Sequence, residues 1–525
     1  MSTKLQYSVF LSLVLICWAG TSSAQPFYSD TSTFDSYAAL YNKILLDQNN
    51  HPVVFGSVVT GFNPMRDKIL FTKRQMNGQY QVKILCDSSR RTYFVLGGIN
   101  LNGNGYAILG TVVVPISSTN SVKRGLVFFT NSDGDSIRYT EFEGLLPTDD
   151  FRIVDGVHFA NKTFIFAENI RIFSTTSENQ IALLVLDSTG NLIHKKQFGL
   201  TGKREYPGRI IRSASGNLIL GSVRSHVESP FQNISFQTWI LEVDTAGNFI
   251  REYLAPLSKK AGRPANLVQT ADGGLIYSTT TLTWPESAML LWRRGYVERL
   301  NSNWQSVMDT VFGTASPFMQ QYDMQMLADE SIVTCGYHYT GQDSIGRLYG
   351  WINKIAASGE HLWQRRYLPF FVPQYVDGEA VSMVKAPDGG FILAGQGRAD
   401  GSPLPKGQYA WLLKVDSMGC LVPGCAVPVQ ELTKEKLYLK VWPNPASEIM
   451  YILFKAIHPL TGAELRLSDM QGRIRQKTVI PEGLSTASGE LQFYLPLQDI
   501  EAGIYVLQVV NKGQLLAHEK IVVQK

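Results

Sequence analysis

Short apolar runs that follow a polar turn and close on a small residue recur along this chain. "QNNHPVVFG" ends at Gly56, "GNGYAILG" at Gly110, "SASGNLILG" at Gly221, "TADGGLIYS" at Ser278 and "APDGGFILAG" at Gly395. Aligned on the small residue, the series reads Gly56, Gly110, Ala167, Gly221, Ser278, Cys335 and Ala394, with successive spacings of 54, 57, 54, 57, 57 and 59. A second series carries the same period. Tight turns of the form Asn/Asp/Ala-x-x-Gly end at Gly78 (the looser copy "QMNG"), Gly134, Gly190, Gly247, Gly359 and Gly419, spaced 56, 56, 57, 112 and 60. The 112 spans two periods, with a degraded copy, "NSNW", between them. Two series in phase over so many cycles mark a repeat architecture.

Within one unit the hydrophobic pattern predicts four strands. The fifth unit reads "ANLVQT", turn "ADGG", "LIYSTTT", a long loop, "GYVERLN", turn "NSNW" and "QSVMDTVF". Asp opening a turn bonds the backbone ahead of it, and Gly accepts the positive φ that closes it. The third strand is nearly continuous in apolar residues ("IALLVL", "TWILEV", "AWLLKV"), which is expected when both faces of a sheet are covered. The fourth is more polar ("LIHKKQF", "FIREYL", "HLWQRRY"), as an outer edge would be. Four antiparallel strands per unit of about fifty residues describe a propeller blade. The pattern therefore predicts an all-β chain with a seven-bladed β-propeller over residues 30–425. A β-solenoid would have shorter coils, and separate sandwich domains would need linkers.

The units lack WD dipeptides and the Ser-x-Asp-x-Gly-x-x-Trp boxes of sialidase-like propellers; "SDGDSIRY" and "ASGEHLW" both miss that spacing. They resemble bacterial tandem repeats of the pattern D-G-G-x-I-L-A-G followed by W-L-x-K-x-D-x-x-G, common in secreted proteins of Bacteroidetes-type bacteria. That resemblance brings no catalytic residues with it.

In an antiparallel meander the first-to-second and third-to-fourth connections share one end of the sheet. Both are tight here. The other end gathers the long connections "RSHVESPFQNISFQ", "TLTWPESAMLLWRRG", "YHYTGQDSIGRLYG" and "QGRADGSPLPKGQ", with the blade-to-blade loops "GTASPFMQQYD" and "YLPFFVPQYVD". Trp284, Trp292, Phe370, Phe371 and Tyr375 belong to this long-loop face and form its candidate ligand-binding rim, since aromatic anchors are favoured at recognition surfaces. The plainer alternative for each is that it covers the top of a blade.

The two ends of the chain speak to its destination. Lys4, the apolar run Val9 to Ala19 and the small residues Ser22-Ser23-Ala24 form a signal peptide over residues 1–24, too short to serve as a membrane span, with Gln25 opening the mature chain. No later stretch is long and apolar enough to cross a membrane as a helix. Export permits disulfides, and Cys420 and Cys425 flank "LVPG", whose turn can bring the two sulfurs together; Cys86 and Cys335 read as buried thiols. After a polar linker over residues 426–436, residues 437–525 carry "LYLKVWPNPASE", "ELRLSDMQGRI", "AGIYVLQV" and "HEKIVVQK", the alternating text of a small immunoglobulin-like β-sandwich. Pro443, Asn444, Pro445, Gly472, Gly503, Tyr505 and Lys520 within it resemble the type A C-terminal sorting domain of the type IX secretion system. The resemblance implies passage through the periplasm and across the outer membrane, secretion or surface attachment, and the translocon and its sortase-like peptidase as partners.

Composition excludes more than it assigns. With 44% apolar and 18% charged residues the chain is globular, and 48 basic against 44 acidic residues, without a basic cluster, point away from nucleic acid. The 8 His residues show no metal-binding spacing, and neither a Gly-x-Ser-x-Gly elbow nor a phosphate-binding Gly-rich loop occurs. "NSDGDS" (131–136) has the oxygen spacing of a short calcium loop, but the same letters are the repeat's own turn. Asp-Ser/Thr-apolar triplets at Asp135, Asp343 and Asp416 resemble bacterial O-glycosylation sites. Asp323, Glu330, Asp377 and Glu379 are the carboxylates of the later units whose convergence only a fold can decide. The expectation is a non-enzymatic recognition scaffold for a glycan or protein, with no catalytic set, metal or cofactor; the alternative is a propeller-based hydrolase or lyase acting on extracellular polysaccharide or peptide.

Overall fold

The computed structural model describes residues 28–34, 38–62, 65–75, 78–85, 91–117, 120–172, 177–226, 235–261, 266–283, 292–316, 318–340, 347–370, 376–400, 407–421, 438–455, 463–469, 473–479, 490–511 and 514–525. Every regular element among them is a strand, and none is a helix. The chain divides into two compact units, Met1–Val427 and Pro428–Lys525.

In the first unit, strands pair antiparallel in sequence order, four to a repeat. Ala38–Leu46, Pro52–Phe62, Met65–Arg74 and Tyr80–Leu85 form the first set. Thr92–Asn100, Tyr106–Pro115, Ser121–Thr130 and Ser136–Phe142 form the next. Sets opening with Asp150–Phe159, Glu205–Arg212, Asn266–Gln269 and Met319–Met326 follow the same order. The last repeat supplies Val376–Lys385, Phe391–Ala399 and Gly407–Val415, and its fourth strand comes from the start of the chain: Tyr28–Ser32 pairs along Gly407–Val415, with Tyr28 opposite Lys414. The indole N–H of Trp411 donates to Ser29 Oγ at 3.0 Å across this seam.

Hydrophobic burial ties repeat to repeat. The third strands are buried on both faces as their nearly continuous apolar text predicts, residues 181–186, 238–243 and 410–415 all lying in the core. Each core cluster joins two consecutive repeats. Phe164 and Leu183 pack with Leu218 and Trp239. Ile219 and Ile240 pack with Leu267 and Tyr277. One further cluster unites Ile44 and Val54 of the first repeat with Ile392 and Leu412 of the last. Sheets packed face to face in succession, with the last against the first, form a closed ring, the arrangement of a β-propeller.

The tight turns behave as their text predicts. The amides of Gly134, Gly190 and Gly247 donate three residues back, to Asn131, Asp187 and Asp244 at 2.9–3.1 Å, each glycine at positive φ. The degraded copy adopts the same turn without glycine: Trp304 N donates to Asn301 O at 2.8 Å and Trp304 sits at φ 61°. Its indole is buried at 5% exposure, with the Arg251 guanidinium 4.2 Å from the ring centroid. Burial of a large aromatic side chain offsets a conformation that costs a non-glycine residue about 1–2 kcal/mol. The outer strands also reach forward: Lys196 Nζ donates to Asn248 Oδ1 at 2.6 Å and Arg251 to Ser302 O at 2.8 Å, so each cation braces the turn of the following repeat.

In the second unit, Tyr438–Trp442, Ile449–Lys455 and Glu490–Pro496 form one sheet. Ile474–Val479, Glu464–Asp469, Gly503–Asn511 and Gln514–Val523 form another. Met450 and Ile452 of the first share a core with Leu467, Leu507 and Ile521 of the second.

Trp304→Gly is expected to relieve the backbone strain yet lower stability by about 2–4 kcal/mol, because the lost indole outweighs the relaxed φ. Urea unfolding measures the difference, and an unchanged midpoint would show that the turn, not the indole, carries this position.

Candidate functional site

The innermost strands do not pair evenly. Six slip by one residue at the same place, between Tyr41 and Lys43, Val95 and Gly97, Ile153 and Asp155, Pro207 and Arg209, Gln321 and Asp323, and Ala380 and Ser382, whereas the described pairing of Asn266–Gln269 has no slip. The extra residue of a β-bulge is left unpaired and turned out of the ladder. Here it is Asn42, Leu96, Val154, Gly208, Tyr322 or Val381, and all six line one cavity. Opposite the residue before the slip stands a small one: Gly56, Gly110, Ala167, Ser222, Gly336 and Gly395. A Cβ on Gly336 would lie 1.8 Å from the Gln320 carbonyl oxygen, and one on Gly395 1.9 Å from that of Glu379. The structure thereby corrects the phase of the small-residue series, which moves on by one from Gly221, Cys335 and Ala394.

Three of the residues that follow a bulge bond the backbone of the next repeat. Asp155 Oδ2 accepts the Ile210 amide at 3.1 Å, and Asp323 Oδ2 accepts that of Met383 at 3.1 Å. Ser382 Oγ accepts the Ile44 amide at 3.3 Å, the same bond drawn across the closure from last repeat to first. Two cations occupy equivalent positions. Arg209 approaches Asp155 at 3.5 Å and Asp323 at 3.8 Å, and Lys43 lies 3.9 Å from Asp323. The Ser382 hydroxyl donates to Asp323 Oδ2 at 2.9 Å. Burial lowers the Lys43 pKa, and the like charge of Arg209 lowers it further. Burial acts to raise Asp323, but Lys43, Arg209 and the backbone donors outweigh it and hold the carboxyl below the usual range. Two positive and two negative groups thus meet at the ring's axis with their charges balanced and their oxygens bonded.

This cluster divides the axis into two cavities that share Lys43, Asp155 and Arg209 as lining. One, of 610 Å³, opens toward the tight-turn ends of the inner strands, beside His158, Phe159 and Arg212. The other, of 400 Å³, lies toward the long-loop ends and is lined by Asn42, Asn266, Gln320, Tyr322, Glu379 and Gln396. Among the described residues, Glu379 is its one carboxyl outside the ion cluster. Burial pushes the Glu379 pKa up against hydrogen bonds from Gln396 Nε2 at 3.0 Å and from the Tyr322 hydroxyl at 3.4 Å.

The aromatic rim meets the structure at two of its members. Phe370 packs edge-on to Tyr409, ring centroids 5.0 Å apart, and its ring lies 3.5 Å from where a Cβ on Gly397 would be. It is half-buried against the last repeat. Trp292 opens the strand Trp292–Leu300, and its side chain lies outside the described residues. Trp284, Phe371 and Tyr375 lie outside them altogether, as do Cys86 and Cys425. Cys335 is buried and unpaired. Asn131 turns its Oδ1 onto the amides of Asp133 and Asp135, so the calcium-like loop uses its own oxygen to close the turn. Of the later carboxylates, Glu330 pairs with Arg299 at 2.7 Å and Asp377 accepts the Leu348 amide at 2.8 Å; only Asp323 and Glu379 reach the axis. Sequence reasoning missed Lys43, Asp155 and Arg209. Their signal was a charged residue just ahead of the segment of an inner strand that leads into the tight turn.

In the second unit, the candidate motif clasps the end of the chain. Asn444 Nδ2 donates to Lys520 O at 2.8 Å and its Oδ1 accepts the Val522 amide at 2.9 Å. Ala446 and Val522–Gln524 exchange backbone bonds at 2.8–2.9 Å. Asp469 Oδ2 receives Arg473 at 2.8 Å and Arg475 at 2.9 Å, and the Tyr505 hydroxyl donates to Glu501 O at 2.9 Å. Gly503 opens the strand beside Tyr505, and Gly472 lies outside the described residues.

A family model described as a secretion system C-terminal sorting domain matches residues 440–524. Curated proteins give no match. Among solved structures, a catalytically inactive virginiamycin B lyase from Staphylococcus aureus is 11% identical over 74% of this chain and 100% of its own, with a TM-score of 0.41. Drosophila Semaphorin 2a is 8% identical over 96% of this chain and 100% of its own, with a TM-score of 0.43. An alpha-L-arabinanase from Penicillium chrysogenum is 11% identical over 60% of this chain and 94% of its own, with a TM-score of 0.38. Resemblance at this level says nothing of chemistry.

Asp323→Asn should lower stability by about 3 kcal/mol, since it leaves the buried Lys43 without its partner and the partly exposed Arg209 with Asp155 alone. Denaturant unfolding checks this, and a loss below about 1 kcal/mol would show that the cluster is solvated. Glu379 has the opposite sign. A carboxyl whose folded pKa is raised supports the fold while protonated, and that support is lost as pH rises through the folded value. Glu379→Gln is therefore expected to raise the unfolding temperature by about 1–3 °C at pH 8 and leave it unchanged near pH 3.5.

Proposed function

For a β-propeller chain that ends in a secretion-system C-terminal sorting domain, we propose the role of a recognition scaffold, secreted or held at the cell surface. The propeller has seven blades over residues 30–425, the last completed by the strand Tyr28–Ser32, which starts just ahead of that range. Residues 1–24 are a signal peptide, residues 426–436 a linker, and residues 437–525 an immunoglobulin-like sandwich that directs type IX export through the periplasm. Its partners on that route are the translocon and a sortase-like peptidase. A Cys420–Cys425 link closes the last repeat; Cys420 is buried at its edge.

The long-loop face, including Trp284, Trp292, Phe370, Phe371 and Tyr375, receives an extracellular glycan or protein. The observation that carries this reading is the state of the axial carboxylates. Asp155 and Asp323 are bonded to Arg209, Lys43 and backbone amides, so neither is free to attack or to activate water. Carboxylate-based glycoside hydrolysis needs two working groups, an acid and a base or nucleophile. Among the described residues lining the mouth cavity, Glu379 stands with amides and a phenol, and its neighbour Asp377 is bonded to the Leu348 amide. A hydrolase or lyase is the second reading, favoured by the raised pKa of Glu379, which suits a general acid.

Two experiments test the proposal. Removal of residues 437–525 should retain the chain inside the cell envelope while the full chain reaches the medium or cell surface, as fractionation would show. In a capture screen against extracellular glycans and proteins, Trp284→Ala or Phe371→Ala should weaken binding by about tenfold, about 1.4 kcal/mol. Turnover of a captured polymer that disappears in Glu379→Gln would replace recognition with hydrolysis.

A further inference from the structure

The 400 Å³ cavity at the long-loop end of the axis falls within the range of small-molecule sites, about 300–1,000 Å³. Its walls differ in character. Leu96, Val154 and Gly208, bulge residues of the second to fourth repeats, give an apolar side. Asn266, Gln320, Tyr322, Glu379 and Gln396, from the fifth to the last repeats, give a side dense in hydrogen-bonding groups. The floor carries no net charge, because Lys43 and Arg209 stand against Asp155 and Asp323.

We propose that this cavity is a binding site for the neutral end of a saccharide, with ring hydroxyls on the amide wall and the C–H face toward Leu96, Val154 and the Tyr322 ring. The proposal rests on the recognition reading above and moves its centre from the outer rim to the channel mouth. Two observations support the ligand class. Amide side chains present donors and acceptors together, which matches hydroxyls that both give and accept hydrogen bonds. The second is charge: a balanced floor gives an ionic ligand no counter-charge to offset the cost of leaving water. An anionic sugar would also face Glu379, which lies in the same wall.

The test is isothermal titration of the full chain at pH 7. The probes are glucose, galactose, mannose, N-acetylglucosamine and their disaccharides, with glucuronate and galacturonate as charged controls. At least one neutral sugar should bind, and both uronates should bind at least tenfold more weakly. Gln396→Ala and Tyr322→Phe should each weaken the neutral sugar about tenfold with the unfolding temperature preserved, whereas Trp284→Ala should leave this small probe unaffected. Absence of heat with every neutral sugar overturns the proposal, as does uronate binding of equal strength or indifference to both cavity variants. The two readings fail separately. If a larger glycan or protein is captured through Trp284 and Phe371 while Gln396→Ala and Tyr322→Phe bind normally, the cavity site falls and the recognition scaffold stands. If a neutral sugar binds the cavity and its glycosidic bond is cleaved, the site stands and the scaffold reading falls.

Discussion

The inner strands of a ring of sheets converge on one axis, and each must divide its side chains between that axis and the neighbouring sheets. In this protein six of them do so by one device: a bulge that turns a single residue toward the axis, after which the next can reach along the ring. The slip at Tyr41/Lys43 is the slip at Ala380/Ser382, and the Ser382–Ile44 bond across the closure repeats the Asp155–Ile210 and Asp323–Met383 bonds within it. The backbone opposite must come close, which is why Gly56, Gly110, Gly336 and Gly395 stand where a Cβ would meet a carbonyl oxygen. Closure and bulge are therefore one constraint seen from two sides.

Two of the residues that reach along the ring are aspartates, and this choice shapes the axis. An aspartate buried by its neighbours needs a cation as well as its backbone donors. Arg209 serves both, and Lys43 completes the balance at Asp323. The cluster fills the middle of the channel and separates its two mouths. It also removes charge from the long-loop mouth, leaving a cavity whose polar side is built from amides, a phenol and a carboxyl held by neutral donors. A structural requirement at the axis thus sets the chemistry that a guest would meet.

Much of the scaffold was legible along the chain. The positive-φ turns at Gly134, Gly190 and Gly247 follow from local rules, as does the double-sided burial of "IALLVL" and "TWILEV". The clasp of Asn444 on the last strand explains why Pro-Asn-Pro text is read together with the chain end. The candidate site was far less legible. Asp323 and Glu379 were visible as carboxylates near later repeats, but Lys43 and Arg209 looked like ordinary strand cations. Phe370, a large aromatic residue in a long connection, packs on Tyr409, a contact between distant segments that its local text does not record. "NSNW" was read as decay of the turn, whereas Trp304 keeps the turn and gains an indole contact.

The sequence by itself determined the repeat, the four-strand unit, the turns and the sorting domain, because strand alternation, turn conformation and a contiguous motif are properties of neighbouring residues. The tertiary structure alone decided which side chains meet. Lys43, Asp155, Arg209 and Asp323 come from four different repeats, and only a ring that brings its inner strands to one axis links their charges through successive contacts of 3.5–3.9 Å. The exact phase of the bulge, and with it the cavity wall, belongs to that convergence, since a slip in pairing is a relation between two strands that neither strand's residues record.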